Sequence, residues 1–215
     1  QTNVFLVSDL TEQTEDAPPI NLMDAKRYEI LRHAEDLFGH YGFAKTNMAD
    51  IAARAKMSSG NLYRYYRNKQ AIGIAVIDTF FRQSEAGMDA AMIGIEDPEV
   101  RIRAMMTTGV RIVVGEMARN PKIMELVEFL LQEEEAWAHL QGHIGWKRDH
   151  AMAEIERGIE SGQFAKIDVR AMAVNLMHAT KAFQMPQSLT AWREPETILP
   201  ELDGVLDLVF SGLRS

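Results

Sequence analysis

Side chains that can donate hydrogen bonds are concentrated in residues 44–70, which hold six Lys/Arg and one acid in a chain whose net charge is −8. In a short helix capped by Ser58, each residue advances by about 100°, so that Leu62 points inward while a polar set points outward. The outward and flanking residues are Gly60, Asn61, Tyr63 and Arg64. A glycine permits close approach, and amide, phenol and guanidinium groups can donate hydrogen bonds to base edges. The pattern predicts a nucleic-acid contact, with a solvated basic face as the alternative.

Residues at the ends of this helix and of its neighbours are expected to contact phosphates, because backbone N–H groups and cations there favour anions. Lys69 would make such a contact from the start of the next helix. The complete expected set is Lys45, Thr46, Ser58, Ser59, Gly60, Asn61, Tyr63, Arg64, Tyr65 and Lys69. Contacts to bases would give sequence specificity, and contacts to phosphates would give affinity.

A possible metal site consists of Glu135, His139, His143 and His150. Their spacings of four, four and seven residues place them on one helix face, and a His-x-x-x-His pair can hold zinc or nickel. Nothing fixes a fourth ligand and a solvated stripe is the favoured alternative, so we expect no metal and no cofactor. Cysteine is absent, and the signatures G-x-S-x-G and H-E-x-x-H do not occur. The sequence therefore predicts that the protein is not an enzyme.

Methionine is abundant in the second half of the chain, where ten of the thirteen fall after residue 87. Its flexible side chain fills irregular cavities and lines adaptable surfaces, although ordinary core and dimer contacts account for most such residues. Together with aromatic residues, some of them would line a pocket for a small hydrophobic molecule. The expected lining is Met88, Met92, Met105, Met106, Met117, Met124, Phe129, Trp137, Trp146, Met177, His178 and Phe183. His178 is the candidate polar anchor, with a satisfied core histidine as the alternative.

Helical periodicity runs from Asp24 onward and strand alternation is hard to find, so the expected fold is all-α with about nine helices. The expected capping residues are Asn47, Ser58, Asn68, Asp97, Asn120 and Asp168. We divide the chain into an acidic extension (1–23), a helix-turn-helix domain (24–70) and a larger helical domain (71–215). The chain is 47% apolar and 25% charged and has no apolar run of membrane-spanning length, so a soluble cytoplasmic protein is expected.

The helices near 168–185 and 196–213 carry more apolar residues than one face can bury inside a protomer. Packed against each other and against a second copy, they would form a four-helix bundle and make the protein a homodimer. The residues expected near the axis are Met172, Leu202, Val205, Leu206, Val209 and Leu213. Two helix-turn-helix domains would then lie roughly 34–36 Å apart, the distance between successive major grooves of double-stranded DNA.

Three ordered stretches within residues 28–72 form a specific pattern. They are Ile30-Leu31-x-x-Ala34-x-x-Leu37-Phe38-x-x-x-Gly42-Phe43-x-x-Thr46, then Asp50-Ile51-Ala52-x-x-Ala55, then Ser58-x-Gly60-x-Leu62-Tyr63-x-Tyr65-Tyr66-x-x-Lys69. With this order and spacing, the segment resembles the DNA-binding domain of the TetR family of transcriptional regulators. The resemblance implies a two-domain homodimer that binds palindromic operators, usually as a repressor, and releases them when a small molecule enters the larger domain.

The turn between the second and third helices departs from the family pattern, because it reads Ala55-Lys56-Met57-Ser58 where the family often has Ala-Gly-Val-Ser. A lysine in place of the glycine costs about 1 kcal/mol if that position needs a positive φ. Two other functions remain as alternatives. One is a helical interaction or coactivator protein on the same fold without operator control, and the other is a metal-responsive regulator.

Overall fold

The computed structural model describes residues 22–120, 122–130, 132–184 and 195–214, and within these ranges the chain forms ten helices and no strand. The all-α fold that the sequence predicts is confirmed. The helices are α1 (Leu22–Tyr41), α2 (Met48–Arg54), α3 (Ser59–Leu62), α4 (Lys69–Met92), α5 (Pro98–Arg119), α6 (Ile123–Leu130), α7 (Glu134–Glu160), α8 (Val169–Ala179), α9 (Lys181–Gln184) and α10 (Pro195–Ser211). None of these described helices has the length and hydropathy needed to cross a membrane. Nearly all of the predicted extension 1–23 lies outside the described residues.

Most helix starts follow the capping residues that the sequence predicts. Side chains of Asn47, Ser58, Asn68, Asp97 and Asp168 each accept a hydrogen bond from a backbone N–H in the first turn of the helix that follows. These bonds satisfy N–H groups that have no partner within the helix. Local chemistry therefore sets where α2, α3, α4, α5 and α8 begin.

The expected cap at Asn120 is wrong. This residue ends α5, where its side-chain amide donates to the carboxylate of Glu116, and α6 begins only at Ile123. The amide is therefore committed to the preceding helix, so it is not offered to the N–H groups of the following one.

The tenth helix arises from a break that the sequence pattern does not reveal. The apolar periodicity predicts one helix over 168–185, whereas the structure ends α8 at Ala179 and starts the short α9 at Lys181. Thr180, between them, is buried, and its hydroxyl donates to the carbonyl oxygen of Leu176 at 2.8 Å. A side chain that hydrogen-bonds the preceding turn in this way favours a bend or an end of the helix.

Two hydrophobic clusters lie along the length of α4. The first joins α1, α2, α3 and the N-terminal half of α4, and α6 closes it with Ile123, Leu126 and Leu130. The second joins the C-terminal half of α4 to α5, α7, α8, α9 and α10. At Gly73 of α4, a Cβ would lie 3.0 Å from side-chain carbons of both Leu126 and Leu130, so α4 and α6 approach closely. Helices α4 and α6 therefore connect the two clusters physically.

Candidate DNA-binding surface and ligand cavity

A capping box fixes the start of α2. The side-chain oxygen of Asn47 accepts hydrogen bonds from the backbone N–H groups of Ala49 and Asp50 at 2.9 and 3.0 Å. The carboxylate of Asp50 accepts one from the backbone N–H of Asn47 at 3.0 Å. This reciprocal pair holds the helix start firmly. Together with buried Ile51 and Ala52, it sets the orientation of α2 against α1.

The turn between α2 and α3 depends on a left-handed residue. Lys56 has φ +54°, so the position does require the backbone conformation in which glycine is favoured. The turn closes through hydrogen bonds from Lys56 N–H to the Ala53 carbonyl and from Met57 N–H to the Ala52 carbonyl. A non-glycine residue held there costs about 1–2 kcal/mol. The lysine side chain is exposed and adds a positive charge next to the start of α3.

Helix α3 is a single turn of four residues. The hydroxyl of Ser58 accepts from the N–H of Asn61 at 3.2 Å, and the regular helix ends at Leu62. The chain then continues in turns, because Tyr65 N–H and Tyr66 N–H both donate to the Leu62 carbonyl at 3.0 and 3.1 Å. Leu62 itself is fully buried.

The outward face of α3 has the composition that the sequence predicts. Gly60 and Arg64 are exposed, Tyr63 is 54% exposed, and Asn61 is partly exposed. A Cβ at Gly60 would meet no atom within 4 Å, so packing inside the protomer does not explain a glycine there. The position is instead suited to a close approach by another molecule. Four further residues of the predicted contact set also reach solvent at least in part: Lys45, Ser58, Ser59 and Tyr65.

The side chains of Thr46 and Lys69, both predicted to contact DNA, bond to backbone carbonyls between α1 and α2 and line one surface depression with Tyr63. Thr46 is buried, and its hydroxyl donates to the carbonyl of Gly42 at 3.0 Å. The ammonium of Lys69 donates to the carbonyls of Phe43 and Thr46 at 2.7 and 2.8 Å and lies 4.4 Å from the centre of the Phe43 ring. Burial lowers the pKa of Lys69. Both side chains hold the loop between α1 and α2 in place.

A cavity of about 350 Å³ lies among α1, α4, α5, α6, α7, α8 and α9. Half of the predicted lining residues do line it. They are Met88, Met105, Met106, Met117, Met177 and His178. The volume falls within the usual range for sites that bind small molecules. Because the lining includes α1 and the N-terminal part of α4, the cavity reaches the first hydrophobic cluster as well as the second.

Five of the other predicted lining residues lie elsewhere. Met92 and Phe183 are buried in the second cluster, and the ring of Trp146 lies tilted against that of His150, with 3.9 Å between ring centres. Phe129 and Trp137 are exposed on the outer sides of α6 and α7. The side chain of the sixth, Met124, is outside the described part of the chain. Apolar character alone did not distinguish core, surface and cavity positions.

A further set of apolar residues on α4, α5 and α7 lines the cavity and was not predicted from the sequence. They are Ile77, Phe80, Phe81, Val113, Leu140 and Ile144. A usable signal was present, because residues 77, 80, 81, 84 and 88 follow the three- and four-residue spacing of one helix face. That face of α4 turns toward the cavity along its whole middle section.

Polar groups of α7 enter the cavity beside a carboxylate of α4. His143 lies with Nδ1 2.9 Å from Oε1 of Glu85, and its ring stacks on Phe81 at 4.7 Å between centres. Burial, and then the charge of Lys147, lower the pKa of His143 to about 3, so the imidazole is neutral at pH 7 and donates to Glu85. Burial lowers the pKa of Lys147 to about 8, against the opposing effect of Glu85.

Two carboxyl groups line the cavity near α1. Glu35 comes from α1 and Glu116 from the end of α5. Burial, followed by repulsion from Glu116 and Asp36, raises the pKa of Glu35 to about 7. Glu116 is buried and accepts hydrogen bonds from Arg119 and Asn120. A residue of the helix-turn-helix region and a residue of the larger domain thus meet at one end of the cavity.

The histidines of α7 form pairs rather than a metal site or a solvated stripe. His139 lies 2.8 Å from Asp78, His143 2.9 Å from Glu85 and His150 3.4 Å from Asp89, so each faces a different carboxylate of α4. Glu135 pairs with Arg67 instead, at 3.5 Å. Among the residues that the structure describes, no three potential ligands are placed to hold one metal ion. These histidine–carboxylate pairs connect α7 to α4.

Three of the residues expected at a dimer axis belong to the protomer's own core. Leu202, Leu206 and Leu213 are buried in the second cluster. Met172, Val205 and Val209 are partly buried and pack on its edge. Among the large hydrophobic residues of α10, Leu208 is exposed to solvent, at 75%. The outer face of α10 therefore includes Leu208, which was not among the residues expected at the interface.

Comparison with known proteins defines the class of the molecule. Residues 30–76 match the family model described as bacterial regulatory proteins, tetR family, and residues 98–205 match the one described as tetracyclin repressor-like, C-terminal domain. The chain belongs to the TetR family of helix-turn-helix, DNA-binding transcriptional regulators. Members of this family bind DNA operators and form dimers, and the C-terminal domain typically binds a ligand.

Individual proteins are similar over most of the chain. The HTH-type transcriptional regulator EthR of Mycolicibacterium smegmatis is 27% identical over 161 residues, which are 72% of each chain. The crystal structure of a TetR-family regulator from Mesorhizobium loti has a TM-score of 0.72 at 13% identity, over 91% of this chain and 100% of that one. The fatty acid degradation regulator FadR of Bacillus halodurans has a TM-score of 0.65 at 15% identity, over 86% and 94%. The two structures share the fold.

Proposed function

We propose that the protein is a repressor that binds a palindromic operator and releases it when a small hydrophobic molecule fills the cavity. The observation that carries this proposal is the cavity of about 350 Å³, whose lining extends from the methionines of α4 and α5 to Glu35 of α1. A ligand there touches the helix-turn-helix region directly. It can therefore favour one arrangement of that region over another, which is the physical requirement for coupling two sites.

The DNA contact is assigned to the exposed face of α3 in the major groove. Arg64, Asn61 and Tyr63 would contact bases, and Gly60 would allow α3 to approach them closely. Lys45, Ser58, Ser59 and Tyr65 would contact phosphates. Thr46 and Lys69 support the surface from behind through the loop between α1 and α2.

The proposal includes two domains in each protomer and a dimer of two protomers. The helix-turn-helix domain spans 24–70 and the ligand and dimer domain 71–215, with the boundary near the start of α4. The dimer would form through α8 and α10, using Met172, Val205 and Val209 together with Leu208. Such a dimer places two α3 helices about one turn of DNA apart, roughly 34–36 Å. We infer that the protein acts in the cytoplasm and catalyses no reaction.

A binding experiment tests the operator half of the proposal. Duplexes from the region upstream of the protein's own gene are compared with a scrambled duplex of equal length by electrophoretic mobility shift at two salt concentrations. We expect a salt-sensitive shift on one palindromic segment, because phosphate contacts release counterions. Equal, weak binding to both duplexes at every salt concentration would favour an interaction protein that uses the fold without operator control.

A further inference from the structure

The cavity is elongated and mostly apolar. The lining residues that α4 contributes run from Val76 to Met88. These twelve helical steps correspond to about 18 Å along the helix axis. Methionine, phenylalanine and branched aliphatic side chains form most of the walls. The space therefore suits a molecule with an extended alkyl or aromatic body, and the few charged groups decide which polar end it can carry.

The end of the cavity next to α1 carries an excess negative charge. Glu35 and Glu116 both line it, and the guanidinium of Arg119 pairs with Glu116 at 2.7 Å and also donates to the carbonyl of Gly115. Among the described residues, no hydrogen-bond donor reaches the carboxyl group of Glu35 within bonding distance. The remaining charges that act on it, Asp36 and Arg32, oppose each other in sign. Two carboxylates thus face one guanidinium.

The polar groups elsewhere in the cavity are already balanced. On α7, Lys147 is buried close to Glu85, which also bonds to the neutral ring of His143. The other two cations of the lining are more accessible to solvent. Arg148 bonds to Asp149, and Lys181 is exposed. Solvent screens charges in such positions. The strongest uncompensated charge within the cavity is therefore the carboxyl pair near α1.

We propose that the ligand of this cavity is an amphiphilic amine, whose protonated amino group bonds to Glu35 while its apolar body lies between α4, α5 and α7. The inference rests on the proposed function, since it names the chemical class of the effector. A cation at Glu35 makes a charge-assisted hydrogen bond in a partly dehydrated site, which is stronger than a neutral one. It also offsets the repulsion between Glu35 and Glu116. Because Glu35 belongs to α1, binding at this point acts directly on the helix-turn-helix domain.

Three probes of equal chain length test the inference: decylamine, decanol and decanoic acid, each below its micelle concentration. Binding to the DNA-free protein is measured by isothermal titration calorimetry at pH 7.5. We expect decylamine to bind more tightly than decanol, and decanol more tightly than decanoic acid. Glu35→Gln should weaken the binding of decylamine by about tenfold or more, and change that of decanol by less than about threefold. Glu128→Gln, the same change at an exposed position of α6, is the matched control and should leave all three affinities unchanged.

Several results would overturn the inference. They are tighter binding of decanoic acid than of decylamine, an equal loss of affinity for decylamine and decanol in Glu35→Gln, and no binding of any probe. Lys147→Met provides a second check, because an anionic ligand would lose affinity in this variant and an amine would not. Operator binding without ligand is measured in parallel. If the protein binds the operator but not the amine, the inference fails and the proposed regulator remains; if it binds the amine but no DNA, the proposed function fails.

Discussion

Arg64 is the residue on which operator specificity should depend most. It is exposed at the outward side of α3, and its guanidinium can bond to two acceptors of a guanine at once. Replacing Arg64 with alanine should weaken operator binding by about 1–3 kcal/mol and leave binding to scrambled DNA nearly unchanged. Fluorescence anisotropy with both duplexes measures the two affinities. The phosphate contact Lys45→Ala is the control, because it should weaken both equally. Equal losses in Arg64→Ala would show that this residue does not contact bases.

Glu35 should make stability depend on pH. Its folded pKa of about 7 lies above the ordinary 4.5, so the folded state keeps a proton that the unfolded state has lost. Stability therefore falls as pH rises from about 4.5 to 7, and the penalty is complete above that range. Glu35→Gln removes the penalty. Chemical denaturation should find this variant more stable than the wild type by about 1–2 kcal/mol at pH 8, after allowance for partial solvent exposure. The gain should shrink toward pH 5, and Glu128→Gln should show no such trend. A pH-independent gain would contradict the assignment.

Single residues differ in how far the sequence determines their roles. Helix geometry relative to Leu62, two residues earlier, predicts that Arg64 is exposed, and it is exposed in the turns that follow α3. The inward position of Lys69 depends on the carbonyls of Phe43 and Thr46, which are 26 and 23 positions earlier in the chain. No local pattern contains that information. The same holds for Glu35, whose place in the cavity is set by the packing of α1 against α4 and α6.

At the scale of elements, boundaries were predictable wherever side chains next to the helix end form the cap. This explains the agreement at Asn47, Asp97 and Asp168. The division between α8 and α9 was not predictable, because Thr180 could equally well have continued the helix with its hydroxyl bonded one turn back. The cavity was found only in part for a related reason. The spacing of apolar residues predicts which face of α4 or α7 is apolar. Whether that face contacts a core, a cavity or solvent depends on the positions of the neighbouring helices.

The turn between α2 and α3 gives an element-scale prediction. Lys56→Gly should relieve the strain at φ +54°, and the gain is offset by the greater freedom of glycine in the unfolded chain. The expected net stabilisation is about 0.5–1 kcal/mol, measured as a higher melting temperature or denaturation midpoint. Lys56→Ala is the control, since it removes the charge and keeps the strain. Both variants should lose the same modest operator affinity. A gain in stability for alanine equal to that for glycine would exclude backbone strain as the cause.

For the whole molecule, the decisive question is which face of α10 meets a second copy. The sequence placed Leu202 and Leu206 at the dimer interface. A single apolar stripe on a helix can pack into a core or against a partner, and the sequence does not distinguish the two. Their burial within the protomer leaves the adjacent face, with Leu208 at 75% exposure, for the partner. The prediction that the protein dimerises through these helices is retained with a shifted set of residues.

Leu208→Asp should dissociate the dimer. A charge placed at a symmetric contact meets its own copy across the axis and loses the apolar burial as well. Light scattering at micromolar concentration should give twice the protomer mass for the wild type and the protomer mass for the variant. Ile93→Asp is a suitable control, because Ile93 is 79% exposed at the far end of α4. A dimeric Leu208→Asp protein together with a monomeric Ile93→Asp protein would move the interface to another face.

The central claim is that the cavity and the DNA surface are coupled. The most direct measurement is a reciprocal titration with a hydrophobic compound selected by thermal shift on this protein. The affinity for the operator is measured with and without saturating compound, and the affinity for the compound is measured with and without saturating operator. We expect both affinities to fall, and by the same factor, because a coupling free energy is shared by the two sites. A compound that binds in the cavity with equal affinity to the free and the operator-bound protein would show that the two sites are not coupled.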